Sequence, residues 1–178
     1  RENIPASGGF IVAANHLSVA DPVLLGAETG RPVVFMAKEE LFRNRFVACI
    51  VRNFGAFPVS RGRFNRDALR KAHRLLGKNS ILGIFPEGRR SMNGKMQTAQ
   101  YGAAIIAYHN KCTIVPAGIY GSEVVRGFKW IFKRPHVTIV FGNGFVLPDS
   151  EDNIRDSVSE YSSIIMRNIS KLLPKNYI

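Results

Sequence analysis

The sequence predicts an α/β domain with a largely parallel central sheet flanked by helices, and two patterns predict it. Short apolar runs of strand length recur at residues 9–14, 33–36, 81–85, 113–115 and 137–141, several of them bounded by Gly, Pro or Asn. Between them lie segments with apolar residues at helical spacing, such as Ala68, Leu69, Ala72, Leu75 and Leu76. Strands that alternate with helices bury a parallel sheet between helical layers, with right-handed crossovers.

Taken in order, Gly9-Phe10-Ile11-Val12-Ala13-Ala14 is a buried strand closed by the polar Asn15. Asp21-Pro22 then starts a helix, with Asp21 as the N-cap acceptor and Pro22 where no N–H is needed. That helix ends near Gly30, and Arg31-Pro32 separates it from the strand at 33–36. Residues 38–52 mix apolar side chains with Arg43, Arg45 and Arg52 at roughly helical spacing. Residues 55–62 make a short strand running into a Gly-bounded turn that carries Arg61. The amphipathic helix at 65–77 stops at Gly77 and turns Arg66, Arg70, Lys71 and Arg74 outward. After the strand at 81–85 comes a polar cluster, Pro86-Glu87-Gly88-Arg89-Arg90-Ser91. A buried helix at 99–108, the strand at 113–115 and a Pro116-Ala117-Gly118 turn follow. Beyond the strand at 137–141, Ile154, Val158, Tyr161, Ile165, Ile169 and Leu172 mark a final helix. With no repeat, linker or low-complexity run, residues 1–178 form one domain.

Composition narrows the partners. The chain is 46% hydrophobic and 21% charged, as globular proteins are, but its net charge is +12. Such a balance attracts something anionic: nucleic acid, an anionic membrane surface or a phosphorylated substrate. Cys49 and Cys112 lie in apolar segments with no metal-ligand spacing around them, which fits structural thiols in a reducing compartment. No stretch approaches the ~18 consecutive apolar residues needed to cross a bilayer. The chain begins at Arg1, so an N-terminal anchor or signal upstream stays open.

Three polar loops leave the carboxyl ends of predicted strands, carrying His16, Arg61 and the 86–91 cluster. In a parallel sheet those ends share one edge, where ligands bind. The loop between His16 and Asp21 is long enough to fold back, so that the carboxylate engages one imidazole nitrogen and the other takes a proton. Asp21 is equally accounted for as a helix cap. His73, His109 and His136 lie outside any such constellation.

Four blocks, Asn15-His16-Leu17-Ser18-Val19-Ala20-Asp21, residues 55–62 (GAFPVSRG), 85–91 (FPEGRRS) and 115–121 (VPAGIYG), resemble in order and gaps the glycerolipid acyltransferase family. Within it the chain is most similar to bacterial 1-acyl-glycerol-3-phosphate acyltransferases. The resemblance implies a glycerol-3-phosphate acyltransferase-like fold, and acyl transfer from a thioester of coenzyme A or acyl carrier protein to the free sn-2 hydroxyl of lysophosphatidic acid. It implies no cofactor beyond that co-substrate and no metal. His16 then serves as general base and Asp21 orients it. Ser18 is the rival nucleophile. Arg61 and Arg90 match positions that hold the acceptor phosphate, which guanidinium suits. Glu87 either binds a substrate hydroxyl or orients Arg61 or Arg90, and Gly88 lets backbone amides approach an oxyanion.

Two departures from the family pattern bear on the acceptor. Arg89 stands where a Thr is usual, and Ala99, Gln100 and Gly102 align where many members carry Phe-Lys and a later Gly. Lys95 is the one nearby substitute for that lysine. Glycerol-3-phosphate or another lysolipid is therefore an alternative acceptor. Residues 126–134 alternate cations with aromatics, including the only Trp, as a membrane-interface segment does, or as a strand or helix with one buried face does. The cations of 66–74 are either a solvated face or a dock for acidic acyl carrier protein. The place implied is the cytoplasmic face of a membrane, bound peripherally or through an upstream anchor. A non-catalytic basic module on an anionic membrane is the reading from another class, but nucleic acid is disfavoured because no nucleic-acid-binding signature is present.

Overall fold

The computed structural model describes residues 1–53, 55–59, 66–125, 135–149 and 154–178. Six strands form one sheet: β1 (Phe10–Ala14), β2 (Val33–Lys38), β3 (Phe57–Val59), β4 (Ile81–Ile84), β5 (Ile114–Tyr120) and β6 (Thr138–Phe141). Their order is β3-β2-β4-β1-β5-β6. Every neighbouring pair is parallel except β5 with β6. The helices are α1 (Asp21–Thr29), α2 (Arg45–Asn53), α3 (Arg66–Gly77), α4 (Gly102–Asn110) and α5 (Ile154–Ser170).

Alternation along β1 sets the layers. Ile11 and Ala13 join the core built with α3, α4 and α5, through residues such as Ala72, Ile106 and Ile165. Phe10, Val12 and Ala14 face the other way, into a core that includes Leu25 of α1. All five residues of β1 are buried, as a central strand covered on both faces requires. Because β1 and β4 are adjacent and parallel, the loops leaving them emerge side by side.

Several sequence expectations shift. The segment at 38–52 is not one helix: a 3-10 turn at Glu39–Phe42 precedes α2. α3 ends at Gly77 as expected, but Gly77 is not the residue that turns left-handed. Asn79 takes the left-handed conformation (φ 59°), the Ser80 N–H reaches the Leu75 carbonyl and the Asn79 N–H reaches that of Leu76, so Asn79 closes the helix. The helix expected from residue 99 begins at Gly102, and the Gln100 N–H ahead of it donates to the Pro86 carbonyl. Pro116-Ala117-Gly118 is no turn but the middle of β5. Pro116 is tolerated there because β6 pairs only from Ala117 onward, and the Pro116 carbonyl still accepts the Gly142 N–H at 2.9 Å. Neither cysteine is in a disulfide; Cys112 packs against the core, where burial pushes its thiol up to about 11, whereas Cys49 is exposed on α2 and is not a core thiol.

Candidate functional site

The loop between β1 and α1 folds back on itself around one carboxylate. Asp21 is the first residue of α1, and the cap position belongs to Ala20, which makes no side-chain cap. The carboxylate instead turns toward the preceding loop, where Oδ2 accepts the N–H groups of Leu17 at 2.6 Å and Ser18 at 2.7 Å. The same oxygen lies 2.8 Å from His16 Nδ1. An oxygen that receives two amide protons is an acceptor, so Nδ1 carries the hydrogen and donates it. Asp21 Oδ1 accepts the Ser122 hydroxyl at 2.6 Å. A buried charge is costly unless paired and hydrogen-bonded; Asp21, whose side chain is 0% exposed, is both. The expected helix cap is thus corrected: with both oxygens satisfied behind it, Asp21 holds the loop and the imidazole rather than the helix start.

The ring is held on its face as well. His16 stacks on Phe85 with centroids 4.1 Å apart, and Phe85 stacks on Phe35 at 5.7 Å. Phe35 can lie there because its cross-strand neighbour is Gly83, where any Cβ would collide with the Phe35 ring. A glycine in β4 thereby seats the histidine. The His16 side chain remains 16% exposed.

Glu87 supports the same loop from the turn that follows β4. Its Oε1 accepts the His16 N–H at 3.2 Å and its Oε2 accepts the Gln97 N–H at 3.2 Å. It is 2% exposed, and burial pushes its carboxyl up to about 7, against the pull of those two amides; the nearby Asp21 charge adds to the rise and Arg89 reduces it. Both Glu87 oxygens accept backbone amides, so it braces the loop. Gly88 adopts φ 67°, and its own N–H goes to the Phe85 carbonyl at 2.9 Å, so any amide offered to an oxyanion comes from its neighbours. Arg89 and Arg90 are exposed at this edge, and the next residue, Ser91, gives its N–H to the His16 carbonyl at 2.7 Å.

Ser18, the rival nucleophile, is enclosed by its surroundings. It is 3% exposed, its hydroxyl donates to the Val125 carbonyl at 2.9 Å, and it accepts the Ala20 N–H. Arg61 and residues 126–134 lie outside the described residues. His73, His109 and His136 are exposed. Ser122 and the Asn15 amide, which bridges to the Ile119 backbone at 2.8 and 2.7 Å, are structural partners that sequence reasoning missed. Among the described residues no helix is long and apolar enough to cross a membrane, and no three His, Cys, Asp or Glu gather as a metal site.

The sequence model of the family described as Acyltransferase matches residues 1–120. The chain is 32% identical over 143 residues to the 1-acyl-sn-glycerol-3-phosphate acyltransferase of Bacillus subtilis, covering 80% of this chain and 69% of that protein. Against the enzyme of the same name from Streptococcus pneumoniae it is 30% identical over 165 residues, covering 92% and 60%. The crystal structure of the 1-acyl-sn-glycerophosphate acyltransferase from Thermotoga maritima superposes with a TM-score of 0.67 at 28% identity, covering 96% of this chain and 69% of that one. The chain therefore spans between 60% and 69% of the length of these relatives.

Proposed function

This chain belongs to the acyltransferase family, and from that premise we propose that it moves a fatty acyl group from a thioester to the sn-2 hydroxyl of lysophosphatidic acid, giving phosphatidic acid. The observation that carries the reading is the 2.8 Å contact of His16 Nδ1 with a buried Asp21. With Nδ1 engaged, Nε2 is the nitrogen that exchanges a proton. It removes the hydroxyl proton as the acceptor oxygen attacks the thioester carbon, and Asp21 stabilises the imidazolium that results. The tetrahedral adduct then collapses, the carbon–sulfur bond breaks, and the proton on His16 passes to the departing thiolate. The thioester is already an activated acyl group, so the exchange balances without a further cofactor.

The cations have their place in this scheme. Arg90 stands exposed one residue from the amide that holds His16, and Arg61 follows β3 in the sequence; both serve the acceptor phosphate. A net charge of +12 also favours an anionic membrane surface, where acceptor and product reside, and suits either coenzyme A or acidic acyl carrier protein as the donor's carrier. Arg89, a second cation beside Glu87, supports one variation, the same chemistry on a different lysolipid.

Labelled acyl-coenzyme A and acyl carrier protein thioesters, offered with a panel of lysolipids and glycerol-3-phosphate in mixed micelles, test the assignment. Product with lysophosphatidic acid is expected to exceed that with every other acceptor. Preference for another lysolipid would keep the chemistry and replace the acceptor. Transfer to none would leave the basic, lipid-binding module.

A further inference from the structure

Asp21 and His16 are held from behind by two loops far apart in sequence, and one residue touches both. After β5 the chain turns at Gly121 into a short 3-10 helix, Ser122–Val124. Ser122 is 0% exposed and gives its hydroxyl proton to Asp21 Oδ1. Tyr177, in the 3-10 turn Lys175–Tyr177, brackets that serine: its hydroxyl accepts the Gly121 N–H at 3.2 Å and donates to Glu123 Oε1 at 2.7 Å. Burial, then the Glu123 carboxylate, raises the pKa of this phenol, so it stays a donor.

The same residue reaches the other loop through its backbone. The Tyr177 carbonyl accepts the Met96 N–H at 2.8 Å, and Met96 precedes Gln97, whose N–H rests on Glu87. Glu87 in turn holds the His16 N–H. We propose that Ser122 and Tyr177 are positioning residues for the acyl-transfer step: Ser122 fixes the Asp21 carboxylate directly, and Tyr177 ties the Ser122 turn to the strap that carries Glu87, so that the carboxylate on the imidazole and the one on the His16 backbone are set by one connection. This rests on the reading of His16 as the base. Its physical content is that a carboxylate with one oxygen fixed by Ser122 presents the other to His16 at a constant distance and angle, and small misplacements of a reacting group are expensive in rate.

The test uses Ser122→Ala, Tyr177→Phe and the double variant. For each, kcat and both KM values are measured with lysophosphatidic acid and an acyl thioester, and the hydrogen-bonded Nδ1–H proton of His16 is followed in the far-downfield 1H spectrum. Ser122→Ala is expected to lower kcat roughly 10- to 100-fold, as loss of a hydrogen bond to a charged group does, with KM values unchanged and the Nδ1–H resonance moved or broadened. Tyr177→Phe, which keeps the ring and removes one hydroxyl at a partly exposed site, is expected to lower kcat by less. The double variant should lose less than the product of the two, since both act on one connection. Wild-type kcat in both single variants, or losses confined to KM, overturns the proposal. So does an unmoved Nδ1–H resonance in Ser122→Ala. Should the wild type transfer no acyl group to any acceptor, the functional reading falls, while the resonance still decides whether Ser122 positions Asp21.

Discussion

Two histidines in this chain make the same contact by distance and differ in everything around it. His16 Nδ1 lies 2.8 Å from Asp21, and His73 Nδ1 lies 2.8 Å from Asn110 Oδ1. The first partner is a buried carboxylate with three further donors on it, and the ring is stacked on Phe85. The second is a neutral amide on the surface, its nitrogen bonded to the Ile106 carbonyl. His73 sits in an open groove between α3 and α4 with Leu69, Arg70, Arg74 and His109. Since α3 leads into β4 and α4 into β5, the ends of these helices lie toward the amino ends of the strands, opposite the His16 edge. A hydrogen bond of good length does not make a base; a charged, immobile and desolvated partner does.

The largest expected effect comes from making the first pair resemble the second. Asp21→Asn should cut kcat by roughly 10²–10⁴, because a neutral amide neither fixes the tautomer nor stabilises the imidazolium. Steady-state assays on the folded variant check this, and a loss below tenfold breaks the comparison. Next, Gly83→Ala forces a Cβ into the Phe35 ring and displaces the stack under His16. Denaturant unfolding should show a loss of about 1–3 kcal/mol, accompanied by a fall in kcat; unchanged turnover would detach the stack from the histidine.

Glu87 adds a dependence on pH to the His16 loop. Its carboxyl ionises near 7 in the folded chain and 4.5 is its ordinary value, so between these the folded state holds a proton the unfolded state has released. Stability contributed by this group is therefore present at low pH and declines as pH rises from 4.5 through 7. Glu87→Gln should flatten the corresponding slope in unfolding free energy, and an unaltered slope would assign it to another group. The smallest effect on turnover is expected for Ser18→Ala. It removes a buried hydrogen bond, worth roughly 1 kcal/mol of stability, and should leave kcat within tenfold of wild type. Abolished turnover there would restore Ser18 as a nucleophile.

What the sequence disclosed follows the range of the interactions. β1, β4 and α5 declare themselves because their apolar spacing is local, and His16 with Asp21 because the pair spans five residues. Sheet order and the roles of Ser122 and Glu87 are not local. Ser122 meets Asp21 across 101 residues, and Glu87 meets His16 across 71. Glu87 illustrates the limit: the sequence offers it a substrate hydroxyl, Arg61 or Arg90 as partner, and only the packing of β4 against β1 reveals that backbone amides engage it. Pro116 misleads for the opposite reason. A Pro-Ala-Gly triplet is a local turn signal, overridden here by burial between β1 and β6.

The most direct test is acyl transfer by His16→Ala beside His73→Ala and wild type, with lysophosphatidic acid and an acyl thioester in mixed micelles. His73→Ala is expected to keep wild-type turnover, and His16→Ala, folded to the same unfolding midpoint within a few degrees, to lose about 10²–10⁴ in kcat. Wild-type turnover by His16→Ala would contradict it.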